Sequence, residues 1–83
     1  MPFVVYILCS ESTGRFYIGQ TKNLEERLAY HNANYSKALK NRGPWVLAHT
    51  EWFATRSEAV KRERQIKSQK DRAFIQRLIS ASR

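Results

Sequence analysis

Four kinds of side chain in this sequence could do chemistry that local structure does not demand. Glu63 follows Ala59 by four residues and precedes Ile66 by three, which places it on the apolar stripe of a helix. A carboxylate there needs a buried cationic side chain or a bound cation, because a charge is rarely buried without a partner. Both partners are open on the pattern alone. Arg27 and His31 are four apart and share one helix face at the border of a stripe marked by Leu24 and Leu28. On sequence alone, an exposed Arg beside an exposed His is the favoured account of that pair. Tyr6 and Tyr17 fall in two β-rich runs, Tyr6 sharing a face with Val4 and Leu8, and Tyr17 with Gly19. Taken singly, each tyrosine is explained by half-buried packing with its hydroxyl in water. Gly19, inside a strand, marks close approach by another backbone or a ligand.

The elements that must carry these residues follow from periodicity. Phe3–Cys9 is rich in β-branched and aromatic residues and apolar at alternate positions of both kinds, the pattern of a central strand. Turn residues follow to Arg15, with Gly14 free to take positive φ. Residues 16–20 then form a hairpin partner. Asn23 followed by Glu26 opens a helix over about 24–34. Gly43-Pro44 is a turn before a third strand, 45–53, whose apolar content is Val46, Leu47, Trp52 and Phe53. Thr55 and Glu58 form a capping box for a helix over about 56–68. A last helix, about 71–81, carries Phe74, Ile75, Leu78 and Ile79. The order is ββαβαα, an α+β fold with a three-stranded antiparallel sheet flanked by helices.

Composition bounds the rest. The 83 residues, 42 % hydrophobic and 27 % charged, fit one globular domain over 1–83 with a thin core. The net charge is +8, and all of it lies after residue 35, where twelve basic residues face four acidic ones. A one-sided basic domain suggests a polyanion, with nucleic acid first. The single cysteine, Cys9, excludes an internal disulfide and a cysteine zinc cluster, and suggests a buried thiol in a reducing, cytoplasmic setting. The apolar run Phe3–Cys9 is far too short to span a membrane. A phosphate-binding glycine loop, HExxH, an EF-hand, an aromatic RNA-stacking motif and a Ser-His-Asp spacing are all missing. His31 and His49 are too few for a zinc site.

Together these residues resemble the GIY-YIG nuclease domain. Val5-Tyr6 stands where the family has the Ile-Tyr of its first tripeptide, with Val4 in place of its glycine. Tyr17-Ile18-Gly19 is the second tripeptide in full. Arg27, in Leu24-Glu-Glu-Arg-Leu-Ala-Tyr-His31, looks like the family's arginine, and His31 stands where many members carry a histidine. Glu58-Ala-Val-Lys-Arg-Glu63 looks like the segment whose final glutamate binds a divalent metal. A late asparagine of some longer members has no match after Lys67. The match covers nearly the whole chain. It is closest to small stand-alone bacterial members, which are also similar to the nuclease domain of the excinuclease of DNA repair.

The resemblance implies an endonuclease that hydrolyses phosphodiester bonds in nucleic acid, DNA before RNA, with little intrinsic sequence specificity. Tight specificity would need a partner protein or a dimer. It implies Mg²⁺, or Mn²⁺, on Glu63 as Lewis acid, and Arg27 as a planar fork on the scissile phosphate. The first tyrosine takes a base-like role and the second positions water or phosphate. A tyrosine is only about 0.1 % phenolate at pH 7, so Tyr6 would need its pKa lowered by the metal or Arg27. His31 is a second candidate for proton transfer. Both hydroxyls, Arg27 and Glu63 are expected in one groove. Gly19, Lys37, Lys40, Arg42, Arg62 and Lys67 are the expected nucleic-acid contacts, within basic stretches over 37–42 and 56–70. The competing reading is a non-catalytic nucleic-acid-binding module that keeps the fold. A basic face for acidic proteins is a third.

Overall fold

The structure is a computed structural model that describes residues 2–33, 43–69 and 71–81. Three strands, β1 (Phe3–Ser10), β2 (Phe16–Thr21) and β3 (Trp45–Phe53), form one antiparallel sheet in the order β2-β1-β3. The helices are α1 (Leu24–Asn32), α2 (Arg56–Gln69) and α3 (Arg72–Ala81). The α+β class and the ββαβαα order are as the sequence pattern predicts. The run apolar on both faces is the central strand, and residues 4–8 are buried on both sides of the sheet. Among the described residues, no helix is long and apolar enough to cross a membrane.

The pleat divides the core in two. Val5, Ile7 and Ile18 point to one face, where Ala59 and Ile66 of α2 and the apolar side of α3 cover them. Tyr6 and Leu8 point to the other, where they meet Trp45, Tyr17 and the α1 residues Leu24 and Leu28. Cys9 is half-buried rather than enclosed. In β3 the apolar residues sit otherwise than expected. Trp45 is buried at 4 %, while Val46, Leu47 and Trp52 are exposed. β3 is an edge strand, and a register shift opposite Ile7/Leu8 breaks the simple alternation of its faces.

Local signals set the element boundaries. The β1–β2 turn closes with Gly14 at φ 73, donating to the Ser10 carbonyl. The Asn23 Oδ1 accepts from the Glu26 amide at 3.1 Å, and its Nδ2 donates to the Glu26 carboxylate at 3.2 Å. The Thr55 hydroxyl accepts from the Glu58 amide and donates back to its carboxylate. Asp71 caps α3 by accepting from the Ala73 amide at 2.9 Å, so the last two helices are separate. α1 ends at Asn32, earlier than expected. The Asn32 side chain is committed to β3: its Oδ1 accepts from the Trp45 amide at 2.8 Å and its Nδ2 donates to the Trp45 carbonyl at 3.0 Å. This pair ties the end of α1 to the start of β3 and fixes the helix over the sheet.

Candidate active site

That docking turns Leu24, Leu28 and His31, at i, i+4 and i+7, toward the sheet. His31 is therefore an interior residue, only 2 % exposed, and not a border one. Beneath it the hairpin register pairs Tyr6 with Gly19 and Leu8 with Tyr17, so both tyrosines point to the same face. The three rings form one cluster. Tyr6 and Tyr17 centroids are 6.3 Å apart, and Tyr17 meets His31 edge-on at 5.1 Å. The Tyr6 hydroxyl lies 3.2 Å from His31 Nε2 in a buried hydrogen bond, while His31 Nδ1 is buried with no hydrogen-bond partner.

Gly19 has a structural reason. A Cβ there would sit 2.6 Å from the Tyr6 hydroxyl oxygen and 2.7 Å from the ring carbon that bears it. The close approach expected at this glycine is made by the Tyr6 ring. The ring is rigid and only 2 % exposed, so it cannot swing aside freely. Gly19→Ala is accordingly expected to destabilise the fold by about 1–3 kcal/mol through overpacking, a fall of several degrees in Tm for a domain of this size. Thermal unfolding followed by circular dichroism checks this, and an unchanged Tm would contradict the packing.

Electrostatics assigns states to the cluster. Burial pushes the Tyr6 hydroxyl well above its ordinary value; the Tyr17 and Glu63 charges add to the rise, and Arg27 opposes it without prevailing. Tyr6 is thus a neutral phenol, contrary to the lowered pKa that a phenolate base would require. Burial also pushes His31 below its usual value, and the Arg27 charge adds to the effect. A neutral His31 can accept a proton through Nε2, and the Tyr6 hydroxyl is already placed to donate it.

Arg27 is exposed at the mouth of this cluster. Its guanidinium lies 6.0 Å from the Tyr30 ring centroid, and it lines an open cleft with Glu26 and Tyr30. No carboxylate pairs with it among the described residues. Glu63 does fall on the core-facing side of α2, as its spacing predicts, with 19 % side-chain exposure. Its helix, however, covers the Val5–Ile7–Ile18 face, opposite the tyrosines. One groove therefore holds Tyr6, Tyr17 and His31 with Arg27 at its edge, and Glu63 does not hydrogen-bond to any of them. A helix-face assignment does not tell which side of the sheet the helix will cover. Glu63 is ion-paired with Lys67 at 2.7 Å, yet it is near enough for its charge to act on Tyr6.

The expected phosphate contacts divide. Lys37, Lys40 and Arg42 lie outside the described residues. Arg62 is committed within the fold: its Nε donates to Glu51 Oε1 at 2.8 Å, its Nη2 to Oε2 at 3.1 Å and its Nη1 to Gln65 at 2.8 Å. His49 Nε2 meets the same Glu51 carboxylate at 2.8 Å. Burial pushes the Glu51 carboxyl up, but hydrogen bonds and charge from Arg62 and His49 outweigh it and hold the net value below the usual range. Lys67 is held by Glu63. By contrast Arg56, Lys61 and Arg64 line an open groove on α2 with Ser57 and Val60, with no carboxylate partner among the described residues. Only the three-dimensional pairing separates these cations from their neighbours.

Comparison with known proteins agrees with this architecture. Residues 2–76 match the GIY-YIG catalytic domain. A UPF0213 protein of Natronomonas pharaonis is 42 % identical over 78 residues, covering 92 % of this chain and 88 % of that one. One from Staphylococcus haemolyticus is 40 % identical over 67 residues, covering 80 % and 79 %. The solution NMR structure of a UPF0213 protein from Bacillus halodurans superposes with a TM-score of 0.61 at 30 % identity, covering 98 % of this chain and 85 % of that one. With the two tyrosines, the glycine, the arginine and the glutamate on the elements described, the chain belongs to the GIY-YIG domain family.

Proposed function

We propose that this protein is a divalent-metal-dependent endonuclease acting on DNA with little intrinsic sequence specificity. The observation that carries the reading is the buried contact between the Tyr6 hydroxyl and His31 Nε2, set beside Tyr17 and below Arg27, which has no carboxylate partner among the described residues. A buried phenol needs some hydrogen-bond partner, and an imidazole nitrogen supplies one that can also take its proton.

The chemistry divides among the chain's own groups. Attack by water on phosphorus requires that the water lose a proton. The Tyr6 oxygen takes that proton as its own passes to His31 Nε2, so the phenol relays charge without ever standing as a phenolate. His31 ends as imidazolium, and the leaving oxygen departs with the broken P–O bond's electron pair. Tyr17 borders the same rings and orients the water or a phosphate oxygen. Arg27 places a permanent planar charge on the phosphoryl oxygens. Glu63 is the residue that would hold a metal; its helix covers the other face of the sheet, but its charge reaches Tyr6. One partly buried carboxylate whose present partner is an exposed lysine suits Mg²⁺ or Mn²⁺, which keep most of their waters. Among the described residues no three His, Cys, Asp or Glu gather into a fuller ligand set. When bound, the cation supplies Lewis-acid stabilisation of the charge that builds on phosphate.

The test is incubation with labelled linear, flapped and branched DNA and RNA, with Mg²⁺, with Mn²⁺ and in chelator. Cleavage with metal alone is expected; nucleic-acid binding without cleavage under any condition would favour the binding-module reading. A pH profile adds a second check. Protonated His31 cannot accept from Tyr6, so the rate should fall as pH drops through a His31 pKa that lies below the ordinary 6.5. Stability has the same sign. The unfolded chain takes up a proton that folded His31 resists, so its contribution is intact above about pH 6.5 and is lost as pH falls through the folded value. A rate with no acid limb anywhere below the ordinary histidine pKa, down to the pH at which the protein unfolds, would exclude His31 as acceptor.

A further inference from the structure

The sheet face that carries the tyrosines continues past them. Tyr6 pairs with Thr50, and Val4 with Trp52, so Trp52 projects from the same face one diagonal step from Tyr6. Tyr17 stands one diagonal step away on the other side. Such diagonal neighbours lie about 7–8 Å apart, within reach of aromatic side chains. Tyr17, Tyr6 and Trp52 thus form an aromatic diagonal across all three strands. Its first two members are packed. The last is 58 % exposed, the most open of the large apolar side chains named among the described residues. On this face Arg27 stands exposed at the mouth of the cluster, while the groove of Arg56, Lys61 and Arg64 lies with α2 on the other face.

Building on the nuclease reading, we infer that Trp52 is a stacking platform for an unpaired base next to the bond to be cut. The favoured substrate is therefore DNA with a single-stranded segment, such as a flap, gap or overhang. In an intact duplex both faces of every base are covered by neighbours, so an indole on a sheet surface meets a free π-face only where pairing ends. Stacking on an aromatic side chain is sequence-tolerant, because every base has that face. The backbone of a strand that runs from Trp52 to the tyrosine site carries charge that the exposed Arg27 complements. A bare indole on the face of the tyrosine site thereby gains a ligand, and the substrate gains a structural rather than a sequence preference.

The experiment measures binding in chelator, where no cleavage can occur. Fluorescein-labelled oligothymidine and a blunt duplex of equal length are titrated by anisotropy at low salt with the wild type, Trp52→Ala and Trp52→Phe. Trp52→Ala is expected to weaken single-strand binding about 10-fold, within the 5–150-fold that one base stack is worth. It should leave duplex binding and the salt slope unchanged, since no phosphate contact is lost. Trp52→Phe should retain most of the affinity. Tryptophan quenching gives a parallel signal, because Trp45 is buried and Trp52 is not. Equal losses on both ligands, no loss, or no single-strand binding by the wild type would each overturn the inference. A wild type that stacks the oligomer but cuts nothing in Mg²⁺ would leave the platform standing and remove the nuclease reading. One that cuts while Trp52→Ala binds normally would do the reverse.

Discussion

Glu63→Gln is expected to abolish turnover at ordinary Mg²⁺ concentrations while leaving the fold nearly unchanged. Gln keeps the shape of Glu but lacks the charge that holds a divalent cation. The structural cost is small, because the bond lost is an i,i+4 ion pair to a lysine with 50 % side-chain exposure. Such pairs contribute about 0.3–0.5 kcal/mol. The decisive measurement is cleavage rate and Tm together, in chelator and in Mg²⁺. A large fall in Tm with and without metal would make Glu63 a structural residue. Full activity of the variant would remove the metal role. Lys67→Gln provides the converse arm: with its competitor gone, Glu63 should need less Mg²⁺ for half-maximal rate.

Arg27→Ala should lower the cleavage rate by about 10²–10³, the usual effect of removing one preorganised charge or donor from a transition state. Arg27 is exposed and pairs with no carboxylate among the described residues, so Tm should hold. Affinity should also hold, because backbone contacts are shared among many cations in a chain of net charge +8. Single-turnover cleavage with a parallel binding titration separates these effects. Arg27→Lys tests the planar fork, since lysine restores the charge but not the two-pronged geometry. A loss of binding equal to the loss of rate would make Arg27 a substrate anchor and not a transition-state group.

Much of this arrangement is written locally in the chain. The hairpin, the Asn23–Glu26 and Thr55–Glu58 caps and the placing of Glu63 between Ala59 and Ile66 depend on neighbours a few residues away, and the structure bears them out. What is not legible depends on distant partners. His31 is three residues past Leu28 and seven past Leu24, so the signal for its burial exists, but Arg27 offers an equally good face until Asn32 docks α1 onto Trp45. Arg62 looks like any basic helix residue until Glu51, eleven positions earlier, folds against it. The exposure of Trp52 follows from β3 lying at the edge of the sheet, which the order of strands along the chain does not reveal. The tyrosine motif draws attention to the Tyr6 hydroxyl; it does not show that burial keeps that hydroxyl protonated.

The two hydrogen bonds between Asn32 and Trp45 have a consequence for how the family can diversify. They fasten together the two ends of the stretch that runs from α1 to β3, so the positions of those ends no longer depend on how much chain lies between them. The entropy of closing such a stretch rises by only about 0.6 kcal/mol for each doubling of its length. Insertions there can therefore accumulate at little thermodynamic penalty and without displacing His31, one residue before the clasp. The hydroxyl–imidazole pair is thereby insulated from changes of length in that stretch.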